Sequence, residues 1–231
     1  MWRGRKLSHE DARRCLFESR DPSLLRHVAL LSECRRVEEA EEAAEKRKAL
    51  FERLSRKLGA FRDHPTITLW LEQYAPGADE QFRYKTLLLK GASQMGKSQK
   101  ALSIFGVQFT FQVNCQGLQD ALPCLRAWDR KLHRCIVFDE ASAEQVLRNK
   151  MVFQAGPSPV SLAQSNCGQH SYEKDFYAVP MILCSNDFAM DVQSGLDPSQ
   201  AQWLQANILQ AALPPGTPWF YGEAVSGDTA A

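Results

Sequence analysis

The chain has 231 residues, 44% of them apolar and 24% charged, a globular composition that excludes a disordered, collagenous or disulfide-stapled protein. A chain of this length buries about 70% of its unfolded surface, so one ordinary core suffices without a metal or disulfide staple. The formal net charge of +1 is a cancellation: residues 1–60 carry +4, residues 61–150 carry +3, and residues 151–231 carry −6 with Lys174 as their one Lys or Arg, which excludes a uniformly basic nucleic-acid coat.

The chain starts Met-Trp-Arg-Gly-Arg-Lys and places His9, Glu10 and Asp11 where a secretory signal would be apolar. No apolar run reaches the length of a membrane helix. Seven cysteines, an odd number with no Cys-x-x-Cys, predict free thiols and no zinc site. An intracellular protein of the cytoplasm or nucleus, with no membrane partner, is expected.

From Ser8 to Leu58 there is a single proline and no glycine, and Leu, Ala, Glu and Arg dominate, which predicts helix. Glu33 to Leu58 is acidic early and basic late, as the helix dipole favours. Glu42 and Lys46 have the spacing of one helix face. Val37, Ala40, Ala44, Leu50, Leu54 and Leu58 form a narrow apolar seam, compatible with a solvated helix packing lightly on the main domain or with an oligomer or partner contact. Gly59 and His64-Pro65 mark a boundary. Two parts result: residues 1–64, a helical segment, and residues 65–231.

Thr66 to Tyr74 reads as a short amphipathic helix. Alternating strands and helices follow: strand Thr86–Lys90, helix Lys97–Phe105, strand Val107–Val113, helix Leu118–Leu132, strand Cys135–Phe138 and strand Met181–Cys184. Short apolar strands separated by helices predict an α/β fold with a mostly parallel sheet of about five strands covered on both faces. The tail from Ala211 is rich in Pro and Gly, with Trp219-Phe220-Tyr221 as an edge-strand candidate.

Gly91-Ala92-Ser93-Gln94-Met95-Gly96-Lys97-Ser98 matches G-x-x-x-x-G-K-[ST] between a strand and a helix. A phosphate chain needs inward-turned backbone N–H groups, which glycine permits, and the positive end of a helix behind them. In this reading Lys97 reaches the β- and γ-phosphates of ATP and Ser98 ligates Mg2+; the alternative is an ordinary glycine turn. Cys135-Ile-Val-Phe-Asp139-Glu140 ends an apolar strand in two acids. Asp139 is expected to hold the Mg2+ water shell and Glu140 to deprotonate the attacking water, whereas an acidic pair in isolation reads as a helix N-cap, a role that Ser142 also suits. Asn186, at the exit of the third strand, is expected to bridge the γ-phosphate and the lytic water; its alternative is a turn residue.

These three elements resemble the helicase domain of Rep proteins from circular single-stranded DNA viruses, a superfamily 3 group within the AAA+ P-loop class. The resemblance covers roughly residues 66–190. It rests on the loop at Gly91 to Ser98, the pair Asp139 and Glu140, and Cys184-Ser185-Asn186, in order. It implies a P-loop, AAA+-like ATPase that assembles as a homo-oligomeric ring around single-stranded DNA. Three departures accompany it. No His-x-His pair occurs and no tyrosine is followed three residues later by Lys, so the nicking nuclease of such proteins is expected to be absent. The DNA-contacting lysine that the family carries on a hairpin has only His170 and Lys174 as counterparts. No arginine follows Arg148, so the family's arginine finger is missing unless Arg126, Arg130, Arg134 or Arg148 replaces it, and slow hydrolysis is expected.

A nucleotide-binding structural or regulatory module with little hydrolysis and no unwinding is the competing reading. A small-molecule kinase is disfavoured, because the lid arginines it needs are absent after the core. GTP specificity is disfavoured too, because Asn149-Lys150 is followed by Met151-Val152 and not by x-Asp.

Overall fold

An extended backbone satisfies its N–H and C=O groups only against another strand, so short apolar runs become strands where both faces can be covered. The computed structural model describes residues 38–39, 42–43, 45–54, 60–118, 121–163 and 171–221. The chain divides into two units, residues 1–50 and 51–231. In the first, the described residues are helical and Lys46 Nζ donates to Glu42 Oε2 at 3.3 Å across one turn. Leu50 and Leu54 of the apolar seam are exposed. Val37, Ala40, Ala44 and Leu58, and the helix expected from Ser8 to Val37, lie outside the described residues. Within the second unit, residues 60–62 pair with its carboxyl-terminal end. Phe61 forms an antiparallel bridge with Phe220, and the Arg62 N–H donates to Trp219 O at 2.9 Å.

The second unit contains strands β1 Thr86–Lys90, β2 Thr110–Asn114, β3 Cys135–Asp139, β4 Val160–Ala163, β5 Ser171–Lys174, β6 Met181–Ser185 and β7 Ile208–Ala212. Its helices are α1 Pro65–Glu72, α2 Lys97–Phe105, α3 Ala143–Arg148, α4 Lys150–Phe153 and α5 Pro198–Asn207. Five strands form one sheet, all parallel, in the order β2-β3-β6-β1-β7, and β4 pairs antiparallel with β5 in a separate two-stranded sheet. Alternation along the strands builds two layers of core. Leu88, Ile136, Phe138 and Leu183 face Val146 of α3, Phe153 of α4 and Leu204 of α5. Leu87, Leu89, Val137 and Ile182 face Trp70 of α1 and Ala101 of α2. Burial on both sides is why β1, β3 and β6 read as unbroken apolar runs.

The strand and helix expected at Thr86–Lys90 and Lys97–Phe105 have those bounds in the structure. The helix near Thr66 begins at Pro65, whose fixed φ suits the first turn, and His64 Nδ1 accepts from Thr66 N–H at 3.2 Å as its cap. Other expectations are corrected. Residues 107–109 form a 3-10 turn, so the strand there starts at Thr110. The helix expected over Leu118–Leu132 is instead a loop with turns over the described residues 121–132. Pro123 lacks an N–H and disfavours helix in the residue before it. Leu125 and Trp128 are buried as anchors, and the loop's carbonyls are satisfied from outside. The buried Gln145 amide donates to Cys115 O, Ala121 O and Leu118 O, while its Oε1 accepts from Ser142 N–H in a capping box. The fifth strand is β7, which follows α5 without an intervening loop; Trp219-Phe220-Tyr221 forms no strand and pairs with residues 60–62 through the Phe220–Phe61 bridge and flanking backbone bonds.

Gln145 therefore holds a long irregular segment to α3. Gln145→Ala should lower stability by about 2 kcal/mol, because the buried Cys115 carbonyl and two part-buried ones lose their donor. Urea unfolding should show a lower midpoint at unchanged slope; an unaltered midpoint would refute this role.

Candidate functional site

The strand order puts the carboxyl ends of β3, β6 and β1 side by side, with Asp139 opposite Cys184 and Lys90 opposite Ser185 in register. Ligands of open parallel sheets bind at this edge. Gly91 to Ser98 connects β1 to α2 there, and Gly91 N–H donates to Ser185 O at 3.3 Å. The loop turns through two left-handed residues, Gln94 at φ 63° and Gly96 at φ 79°. Gly96 is required twice over: its φ suits glycine, and a Cβ there would lie 2.6 Å from the Phe220 ring. As the residue before α2, Gly96 supplies no side-chain cap, so the first N–H groups of α2 are left for another acceptor.

Lys97 is only 5% exposed. A buried ammonium needs acceptors, and Nζ donates to Ala92 O and to Asn186 Oδ1, both at 2.7 Å. Asn186 Nδ2 in turn donates to Glu140 Oε2 at 3.1 Å. Lys97 can only donate and the ionised carboxylate only accept, which fixes the orientation of the amide between them. Ser98 Oγ donates to Asp139 Oδ1 at 2.7 Å, and Gln112 Nε2 donates to Asp139 Oδ2 at 3.2 Å. Glu140 itself sits at φ 55°. Left-handed backbone at a residue that is not glycine costs roughly 1–3 kcal/mol and persists only where its surroundings enforce it, most often at functional positions.

Lys97, Ser98, Asp139, Glu140 and Asn186 thus converge at this edge in two hydrogen-bonded groups, Ala92–Lys97–Asn186–Glu140 and Ser98–Asp139–Gln112. Ala92, Ser93 and Gln94 are exposed on the loop's outer side, and Met95 O accepts from Trp219 N–H at 2.7 Å. Lys174 is elsewhere, at the end of β5 opposite Val160, with Nζ donating to Trp128 O at 2.7 Å; His170 lies outside the described residues. Each candidate replacement arginine has a partner: Arg130 pairs with Asp175 at 3.4 Å and Arg148 with Glu144 at 3.5 Å, while Arg126 and Arg134 lie over the rings of Tyr172 and Phe109. Gln112 is the site residue that the sequence reading missed. Its signal was a polar side chain in the middle of an apolar strand.

The Ser98 hydroxyl and Asp139 carboxylate are hard oxygen donors, a set that suits Mg2+, which keeps several waters and takes few protein ligands. Among the described residues no group of three His, Cys, Asp or Glu side chains could hold a metal by itself, and no helix is long and apolar enough to cross a membrane. No protein-family model matches the sequence, and no curated protein matches it significantly.

Thiols surround the network. Burial, reinforced by the charge of Asp139, pushes the Cys115 thiol from its ordinary value of 9.0 to about 12. Burial pushes Cys184 well up, with Asp139 adding to it. These thiols keep their protons in the native state while those of the unfolded chain ionise. Stability is therefore full below the ordinary thiol value and is lost as pH rises from about 9 towards 12. Urea midpoints should be flat to about pH 8 and fall above it, less steeply in Cys115→Ala; a midpoint that holds level to pH 11 would contradict the assignment.

Proposed function

We propose that this chain is a Mg2+-dependent ATP-binding protein of the P-loop class that hydrolyses ATP slowly. The observation that carries the reading is the continuous chain Ala92–Lys97–Asn186–Glu140 beside the Ser98–Asp139 pair, all at the carboxyl edge of a parallel sheet. Nothing in ordinary packing requires a buried lysine, a strained glutamate and a bridging amide to meet. Phosphoryl transfer uses a cation at the phosphates and groups that position and deprotonate the nucleophile.

In this mechanism the phosphates sit against the N–H groups of Gly91 to Ser98 and the N-terminus of α2. Lys97 turns its Nζ from Ala92 O and Asn186 Oδ1 to the phosphate oxygens, which carry more charge than either present acceptor. Ser98 and Asp139 would hold Mg2+, which would supply charge neutralisation at the phosphates. Asn186, released from Lys97, orients the attacking water, and Glu140 takes its proton. The resemblance to Rep helicase domains extends the proposal to a ring of copies on single-stranded DNA. Free thiols at Cys115, Cys124, Cys135 and Cys184 support an intracellular setting.

One observation favours a second reading, a binder with little turnover: all four candidate arginines are engaged within the chain, and an absent arginine finger costs about 10³ to 10⁵ in rate. An arginine from a neighbouring copy separates the two readings.

Lys97→Ala should abolish ATP binding. Glu140→Gln should retain it and lose about 100-fold or more in turnover. Calorimetric binding and steady-state phosphate release, with and without single-stranded DNA, read the two separately. Wild-type affinity in the Lys97 variant would overturn the site; unchanged turnover in the Glu140 variant would overturn the assignment of the base.

A further inference from the structure

We infer that the strap Trp219 to Tyr221, clamped by residues 60–62, sets the shape of the glycine loop, and that Phe220 is a positioning residue for phosphate binding. This rests on the proposed phosphate site and gives a role to a part of the chain that no step of that proposal uses.

A loop that turns through left-handed residues loses much conformational freedom when it orders, so its N–H groups gather round a phosphate only where something outside the loop holds it. Gly91 N–H fixes the start of the loop on Ser185 O. In the second half the outside tether is Trp219 N–H, which donates to Met95 O at 2.7 Å. In a planar trans peptide the C=O and the following N–H point in opposite directions. Holding Met95 O against the strap therefore turns the Gly96 N–H to the side away from it, where the proposal puts the phosphates. Phe220 completes the clamp. A Cβ on Gly96 would lie 2.6 Å from Phe220 Cδ1 and 2.9 Å from Cε1. The ring thus rests on the bare α-carbon and closes off one direction in which that residue, at φ 79°, could relax.

The strap is itself braced. Phe220 is bridged to Phe61, and flanking backbone bonds run from Arg62 N–H to Trp219 O at 2.9 Å and from Tyr221 N–H to Ala60 O at 3.0 Å. The Arg62 guanidinium lies 4.1 Å over the Tyr221 ring, and its Nε donates to Pro218 O at 3.0 Å. Trp219 is 1% exposed and belongs to the core layer of α1 and α2. Beside the brace, Asp63 pairs at 3.7 Å with the buried Lys100, one turn into α2 from Gly96. Core, brace and α2 meet at Met95-Gly96, the turn through which the loop enters its helix. The linkage runs both ways: a phosphate that fixes the loop also fixes the strap.

Titration calorimetry with Mg2+ measures ATP and inorganic tripolyphosphate on the full chain, and amide hydrogen exchange follows residues 60–62 and 219–221 with and without ATP. Phe220→Ala should weaken both ligands equally, by about tenfold, because the loop and not the rest of the nucleotide is affected. Phe220→Tyr, which keeps the ring, should bind within about twofold of wild type. Arg62→Ala, which loosens the brace without touching the loop, should cost about threefold and serves should Phe220→Ala disturb folding, which thermal melting checks. In wild type, saturating ATP should slow exchange at Arg62, Trp219 and Tyr221 about tenfold more than at β2, the far edge of the sheet; a purely structural strap would not show this. Wild-type affinity in both Phe220→Ala and Arg62→Ala, or strap amides that ATP slows no more than those of β2, overturns the positioning role while the phosphate loop stands. Failure of wild type to bind either ligand overturns the nucleotide reading, and the positioning role with it.

Discussion

The arrangement depends on β6 pairing with β3 on one side and β1 on the other. All five residues of β6 are buried, so its apolar side chains can be covered only in the middle of the sheet. That requirement brings three polar strand ends to one edge. Asp139, Asn186 and the loop carrying Lys97 are 42 to 89 residues apart in sequence, and no local interaction would join them. The hydrophobic demand of one five-residue strand does so, and the polar network forms where the apolar runs stop.

The network then sets its own constraint. Lys97 is enclosed and must be matched by acceptors, which it finds in a loop carbonyl and a side-chain amide. Neither acceptor is a full negative charge, so the ammonium is satisfied but not neutralised. In the proposed reading a phosphate replaces these uncharged acceptors with charged ones. The same ammonium, through Asn186, reaches the carboxylate of Glu140, so the glycine loop and Glu140 are linked by two hydrogen bonds. The strap Trp219 to Tyr221 adds support from behind, with Phe220 filling the space above Gly96 and Arg62 Nε donating to Pro218 O at 3.0 Å.

Much of this was legible in the sequence because it is local. Thr86–Lys90, Gly91–Ser98 and Lys97–Phe105 are read from an apolar run, a glycine pattern and a helical stretch in immediate succession. The acids after Cys135–Phe138 and Asn186 after Met181–Cys184 follow the same logic. What escaped was decided at a distance. The segment after Leu118 has helical composition, but Pro123 and the side chain of Gln145, 24 or more residues away, make it a loop. β7, Ile-Leu-Gln-Ala-Ala, is not among the strands expected from the sequence and forms against the edge of β1. The left-handed backbone of Glu140 and the approach of Gln112 to Asp139 arise from the sheet register, which no window of sequence contains.

In the proposed reading Lys97 belongs to a phosphate and holds Asn186 only in its absence. A crystal structure with Mg2+ and a slowly hydrolysed ATP analogue tests it most directly. The analogue's phosphates should lie on the Gly91–Ser98 loop, with Lys97 Nζ moved onto a phosphate oxygen and its 2.7 Å bond to Asn186 Oδ1 broken. An analogue bound elsewhere, or bound while Lys97 keeps both of its present acceptors, would contradict it.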